Sequence, residues 1–289
     1  MDEREALREL AGMIPDAGDD AAVVDGLAVT TDMLHRSTDF PVGTTHYTAG
    51  WRAIGASLSD IAAMGAEPVA AVAAYAATSL EHEEIEPFVR GARDVCAQAG
   101  GEYVGGDLDD HEELTIASTV VGRADQPVFR SGATPGEVVC VTGTLGRSGA
   151  ALELFERGEL DRANELFRFS PRVTAGRTLA EYAGAMMDSS DGLARSLHQL
   201  AEASDCGFAI ESPLPVADVV AEVADTDEQR RELGTFFGED FELVCTVPEG
   251  AVEQIRDELS VPFTRIGEVV ESGLTLDGEA LPDRGYTHG

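Results

Sequence analysis

Apolar and polar positions recur along this chain in two periods. Spacings of three and four mark helices, and short apolar runs bounded by Gly, Pro, Ser or Asp mark strands. Residues 3–13 have helical spacing that ends near Pro15, and residues 20–32 read as two short strands around a turn at Asp25-Gly26. A helix is predicted over 48–65, with Trp51, Ile54, Leu58 and Ile61 on one face and Pro68 just beyond its end. A small-residue strand over 69–77, a helix over 81–99 and strands over 102–105 and 114–122 follow. Residues 123–136 hold Pro127, Gly132, Pro135 and Gly136 and read as a boundary. Beyond it a strand at 138–142 ends in the Gly-rich turn TGTLGRSG, and helices are predicted at 146–157, 161–168 and 173–183. A short strand at 185–187 leads into an amphipathic helix over 190–203. Strands at 207–211, 242–247, 263–267 and 274–277 then alternate with helices at 217–224 and 249–258. This order predicts two mixed α/β domains, 1–125 and 126–289, and 289 residues suffice for both.

Composition changes how the polar positions are read. The net charge is −34, from 54 acidic residues against 20 arginines and no lysine. Such a balance argues against nucleic acid and anionic membranes as partners. It fits a cytosol of molar salt, as in halophilic archaea, where self-repulsion is screened within a few ångströms. A carboxylate by itself therefore carries little information, and only acids placed among small and apolar residues at strand ends are counted. With 43% hydrophobic residues a core can be filled. The four cysteines (Cys96, Cys140, Cys206, Cys245) are far apart, form no C-x-x-C pair and read as buried reduced thiols. The acidic start MDEREALREL is unlike a secretory signal, and no apolar run approaches 18 residues, so a cytoplasmic protein is expected.

Asp-centred turns that follow apolar runs carry the candidate chemistry. In GDDAAV, Asp20 is either part of a turn or a metal ligand. VTTD offers hydroxyl and carboxylate oxygens from Thr30, Thr31 and Asp32, a set suited to Mg²⁺, or else a helix cap. Asp60 stands between Leu58 and Ile61 in an apolar helix, where an acid costs free energy unless it is paired, metal-bound or turned to water. VGGD places Gly106 before Asp107, so that backbone can approach a ligand closely. In MDSSDG, Asp188 and Asp191 bracket a helix start at which Ser189 or Ser190 can cap or phosphate can bind. Without lysine, Arg130 in RSGATPG is a leading phosphate contact, and otherwise a surface arginine. Several such strand ends converging would make an oxygen-rich pocket for hard cations.

In their joint order GDDAAV, TTD, LSDIAAMGAEP, GGD, RSGA-PG, TGTLG, DSSDGL and GEDFEL, these motifs resemble the thiamine-monophosphate kinases, within the superfamily of aminoimidazole ribonucleotide synthetases. The resemblance runs from about residue 14 to Tyr286. It implies a two-domain α/β (α+β) fold of the aminoimidazole ribonucleotide synthetase type. The N-terminal domain would pair with its copy in a homodimer around a central β-barrel, and the C-terminal domain would be an α/β layer. It also implies ATP-dependent phosphorylation of thiamine monophosphate to thiamine diphosphate, with several Mg²⁺ ions. By resemblance Asp20, Thr30, Thr31, Asp32, Asp60, Asp107, Asp188 and Asp191 would hold metal. Gly106, Asp107, Arg130 and Ser190 would contact ATP, and Asp39, Glu239 and Tyr286 would lie on the substrate side.

The acceptor in such a reaction is a phosphate oxygen already ionised at neutral pH, so no strong general base is required. Two polyanions must meet, so cations held by carboxylates are needed, and direct in-line transfer is the expected route. An acid and an aromatic face suit the cationic ring of thiamine. Family members often carry a His-Phe pair after TTD, whereas here Asp39 precedes Phe40, and His35 is the nearest histidine. Leu108 replaces a threonine common after GGD. Two alternatives stay open, an aminoimidazole ribonucleotide synthetase-like ATP-dependent ligase and a non-catalytic nucleotide- or metal-binding dimer.

Overall fold

Two sheets with helices packed between and around them make up the computed structural model, which describes residues 13–14 and 17–286. Most of the helix expected over residues 3–13 lies outside the described residues. The first sheet contains β1 (Ala22–Val24), β2 (Leu27–His35), β3 (Glu67–Ala77), β4 (Glu102–Asp110) and β5 (Thr115–Arg123), in the order β1-β2-β5-β3-β4. All neighbours are antiparallel except β3 and β4. That parallel pair is joined by helix α3 (His82–Ala99), as a parallel crossover requires. The one-turn helix α1 (Arg36–Asp39) and the long helix α2 (His46–Ala63) connect β2 to β3.

The second sheet contains β6 (Val138–Thr142), β7 (Ala185–Asp188), β8 (Gly207–Ile210), β9 (Leu243–Val247), β10 (Phe263–Val270), β11 (Leu274–Leu276) and β12 (Glu279–Ala280). Their order is β12-β11-β8-β10-β6-β9-β7. Helices α4 (Arg147–Glu156), α5 (Leu160–Phe167) and α6 (Val173–Leu179) lie between β6 and β7 in sequence. Helix α7 (Leu193–Ser204) follows β7. Short helices α8 (Asp218–Val223), α9 (Asp227–Arg231) and α10 (Val252–Glu258) complete the set, with a π-turn at Glu232–Phe236.

Helix α2 explains the arrangement. The sequence predicts one apolar face, but 14 of its 18 residues are buried. It contacts β2, β3, β5 and α3 on one side and α5, α6 and β7 on the other. Its composition of Ala, Gly and Ser permits this, because small side chains let neighbours approach on every face. At the α2–α3 contact a Cβ on Gly91 would sit 2.0 Å from the Tyr47 carbonyl oxygen, and one on Gly50 would sit 2.1 Å from that of Phe88. The two helices thus meet backbone to backbone.

The expected β-barrel is not formed. Among the described residues the N-terminal sheet is open, with β1 and β4 at its two edges, and no sheet closes on itself. Its two edge strands do not pair with each other, since β1 pairs only with β2 and β4 only with β3. The face of this sheet turned away from α2 and α3 leaves Val29, Met33, Val69 and Val72 exposed. Among the described residues no helix is long and apolar enough to cross a membrane.

Candidate active site

Three acids from distant parts of the chain meet where the two sheets face each other across α2. Asp20 comes from the turn before β1, Asp60 from α2 and Asp188 from the last position of β7. One carboxylate oxygen from each lies within 4.8 Å of the others. Each carboxylate is oriented by a neighbour. Thr30 Oγ1 donates to Asp60 Oδ2 at 2.5 Å, Ser59 Oγ donates to Asp188 Oδ2 at 2.6 Å, and the Ser190 N–H donates to Asp188 Oδ1 at 3.2 Å. Arg130 grips Asp20 in bidentate fashion, at 3.2 Å from Nε and 3.0 Å from Nη2. Its backbone N–H donates to Asp19 Oδ1 at 2.7 Å.

The electrostatics are those of crowded, desolvated anions. Burial, then Asp32, Asp188 and Asp20, push the Asp60 carboxyl well above its ordinary value. Burial and Asp20 push Asp188 up to about 7. Asp32 is also raised by burial, against the hydrogen bond it accepts from Ser57 Oγ at 2.5 Å. Burial opposes the charge on Arg130, but Asp20 outweighs it and the guanidinium stays firmly protonated.

The structure brings some predicted ligands together and separates others. TTD does not lie past a strand end, because β2 continues to His35. Alternation along the strand turns Thr30 and Asp32 inward and Thr31 outward. Thr31 is exposed, and its hydroxyl donates to the Ser118 carbonyl at 2.8 Å, away from the acids. Asp107 is likewise within a strand, exposed on edge strand β4. A Cβ on Gly106 would sit 1.7 Å from the Ala73 carbonyl oxygen, so this glycine serves the β3–β4 pairing. The helix expected from Ser190 begins at Leu193 with Gly192 as its cap, so neither Ser189 nor Ser190 caps it. The Asp191 carbonyl instead accepts the Tyr286 N–H at 3.1 Å.

Asp39, Glu239 and Tyr286 line a single cavity of about 510 Å³, together with Arg36, Phe167 and Phe237. His35 is not among its lining residues, and its Nδ1 lies 3.0 Å from Thr115 Oγ1. The Glu239 N–H donates to the Ser190 carbonyl at 2.6 Å, so this cavity and the acidic cluster share a wall. Glu239 itself adopts a left-handed conformation, φ 65°. It is held there by its neighbour Asp240, whose carboxylate accepts the Gly146 and Ser148 N–H groups (2.5 and 3.1 Å) at the start of α4. Burial raises Asp240 to about 7.

Sequence reasoning missed Arg52. It is buried on α2, its Nη2 donates to Glu239 Oε2 at 2.9 Å and its Nη1 to the Phe167 carbonyl at 2.6 Å, and its guanidinium lies 3.6 Å above the Phe167 ring. The signal was present, since Arg52 and Asp60 are the only charges in an otherwise small and apolar run. It also missed Glu242, buried and clamped by Arg172, whose backbone N–H and carbonyl fix Ser189 beside Asp188.

Known proteins match this chain over its length. Residues 18–124 match the AIR synthase related protein N-terminal domain, and residues 134–278 match the corresponding C-terminal domain. The thiamine-monophosphate kinase of Halobacterium salinarum is 57% identical over 291 residues, covering 100% of each chain. That of Escherichia coli is 32% identical, over 94% of this chain and 90% of the relative. A solved structure of AaThiL complexed with AMPPCP and TMP superposes with a TM-score of 0.90 at 29% identity, over 100% of this chain and 97% of that one. Hydrogenase maturation protein HypE, from a HypE–HypF complex, shares the fold alone, with a TM-score of 0.77 at 21% identity over 97% of both chains. The chain therefore belongs to the thiamine-monophosphate kinase family, enzymes that phosphorylate thiamine monophosphate to thiamine diphosphate with ATP.

Proposed function

We propose that the chain performs this transfer along the wall shared by the acidic cluster and the cavity, with the hydrogen bond from Glu239 to Ser190 as the observation that carries the reading. Asp20, Asp60 and Asp188 form the core of a divalent cation site, with Asp32, Thr30 and Asp191 around them. The fit rests on the donors, which are all oxygen, mutually repulsive and buried or half-buried, a set suited to hard cations such as Mg²⁺. Bound there, such ions would neutralise the meeting phosphates and stabilise the charge of the transferring phosphoryl group. Arg130 and Ser190 serve the phosphates of ATP. Gly106 and Asp107 on the β4 edge are assigned to the nucleotide by resemblance. Thr31 enters the metal site only through its backbone.

On the other side, Glu239 and Tyr286 hold the cationic ring of thiamine in the cavity, which leaves the substrate's phosphate towards the acids. That phosphate is already ionised, so positioning and electrostatics suffice and the chain supplies no nucleophile or strong base. Four coarser features complete the proposal. The chain is cytoplasmic and folds as units 1–125 and 126–289. It is a homodimer through the exposed apolar face of the first sheet. It requires molar salt, since its charge of −34 must be screened. Full structure in dilute buffer would count against the last point, and a monomer by light scattering against the dimer.

The deciding experiment is ADP release at molar KCl with MgATP and either thiamine monophosphate, thiamine, formylglycinamidine ribonucleotide or no acceptor. Turnover with thiamine monophosphate alone, lost in Asp60→Asn and Asp188→Asn, supports the kinase and its cation site. Turnover with the ribonucleotide would move the chain to the ligase branch, and silence in folded protein to a binding role.

A further inference from the structure

We propose that a second cavity, lined by α8, α9 and the end of β11, binds a small aliphatic zwitterion, an α-amino acid such as leucine. It shares no lining residue with the cavity of Asp39, Glu239 and Tyr286.

The volume of this second cavity is about 450 Å³, within the range of small-molecule sites. Its floor is aliphatic. Leu214 and Leu276 reach it from the core of the second sheet, and Val216 and Val220 from the core around α4. No aromatic ring lines it among the described residues, so a base or other flat ring would have nothing to stack on. One polar group interrupts the floor. Thr235, in the π-turn, is 2% exposed, and its hydroxyl makes no hydrogen bond among the described residues. A hydroxyl so placed calls for a partner, and π-turns are frequent at functional sites.

The rim carries both signs of charge. Arg230 and Arg231 end α9, and Asp277 and Glu279 stand where β11 turns into β12. The Arg231 guanidinium makes no ion pair among the described residues and lies 6.0 Å from the centre of the Phe236 ring. Its charge nonetheless reaches Asp277. The Ser212 N–H and hydroxyl, each 2.8 Å from a different oxygen, hold the Asp277 carboxyl below its ordinary value, and Arg231 lowers it further. An acid and an arginine thus stand near each other at the rim without touching. A ligand that brings a carboxylate to Arg231 and an ammonium to Asp277 fills that gap, and an amino acid carries these two charges side by side. A bare anion would face Asp218, Asp277 and Glu279, and a bare cation would face both arginines. Arg230 pairs at 3.2 Å with exposed Asp227, a contact worth little, so it can serve the same carboxylate. A branched aliphatic side chain on this headgroup then covers the floor.

The test is titration calorimetry on the whole chain at molar KCl without nucleotide, with leucine, glycine, 4-methylpentanoate and 3-methylbutylamine as probes. Leucine is expected to bind saturably, and glycine, lacking the side chain, roughly ten- to a hundredfold more weakly. The acid and the amine, each lacking one charge, should bind roughly tenfold more weakly. Arg231→Gln and Asp277→Asn should each raise the Kd for leucine roughly three- to tenfold, because Arg230 and Glu279 remain. Both positions are exposed, and Asn tolerates the left-handed backbone of Asp277, φ 53°, so both variants are expected to fold. The probe series on wild type stands without them. No leucine binding to wild type overturns the proposal, as does an affinity unchanged in both folded variants. The acid bound as tightly as leucine would make this an anion site, and the amine so bound a cation site, and either overturns the zwitterion. Leucine displaced by saturating thiamine monophosphate would place it in the other cavity and overturn the proposal too.

Discussion

Replacing Asp60 by Asn is expected to stabilise the protein when divalent ions are absent and to abolish its response to them. One oxygen from each of Asp20, Asp60 and Asp188 lies within 4.8 Å of the others. Two unit charges at that separation repel by about 3 kcal/mol at an effective dielectric near 20. Asp60 has two such neighbours, one of them offset by Arg130 through Asp20, and Asp32 adds to the repulsion. The amide oxygen introduced by Asp60→Asn can still accept from the Thr30 hydroxyl, so little is lost locally. A net gain of about 2–3 kcal/mol follows, which for a chain of this size is a rise of roughly 4–10 °C in Tm. The assay is thermal unfolding at pH 8 in molar KCl with EDTA, repeated with excess Mg²⁺. Potassium chloride screens the surface acids far more than this buried group. Wild type is expected to gain stability with Mg²⁺ and the variant not to. An Asp60→Asn protein that melts below wild type in EDTA, or that gains as much from Mg²⁺, would refute the reasoning.

Three further outcomes follow from the geometry. Arg52→Met removes the partner of Glu239, so KM for thiamine monophosphate should rise roughly ten- to a hundredfold with KM for MgATP unchanged, as steady-state kinetics will report. Gly91→Ala puts a methyl 2.0 Å from the Tyr47 carbonyl oxygen and should cost about 3 kcal/mol or more, read by denaturant unfolding in molar KCl. Asp240 has a folded pKa raised from 3.8 to about 7, so the folded state holds its proton longer than the unfolded chain does. Its contribution to stability is then greatest near pH 4, falls as pH rises to about 7 and is level above, a change of about 4 kcal/mol at most. The stability of wild type relative to Asp240→Asn should fall over that window, and a wild-type advantage that rises with pH would contradict the buried placement.

The sequence was most legible where a single period ruled. Helices α2 and α3 and strands β3 and β6 fall within two residues of their expected limits, because their apolar spacing has one reading. It was least legible where a polar residue belongs to a strand. TTD and GGD look like strand ends because Asp and Gly are poor strand formers. Pairing of β2 with β5 and of β4 with β3 overrides that preference. Asp60 points inward, one of the readings its apolar neighbours allowed, whereas the partners of Arg52, eight residues earlier, could not be read because they lie about 115 and 187 residues away in the chain. Burial of α2 on nearly every face could not be read either, since the second sheet that covers it comes later in the sequence. The barrel came from resemblance alone, and both sheets of the described residues stay open.

Helix α2 has a consequence for how substrate selectivity can change over evolution. It carries Arg52, which holds Glu239, and Asp60, which faces Asp20 and Asp188. Eight residues of α-helix fix these two points about 12 Å apart along a rigid axis. The helix thus acts as a ruler between the Glu239 end and the acidic-cluster end. One residue inserted between them would lengthen the ruler by about 1.5 Å and turn one end by about 100°. Both ends would then be lost at once. A chain built this way can trade the chemistry of single side chains far more easily than it can adapt to a longer or shorter acceptor.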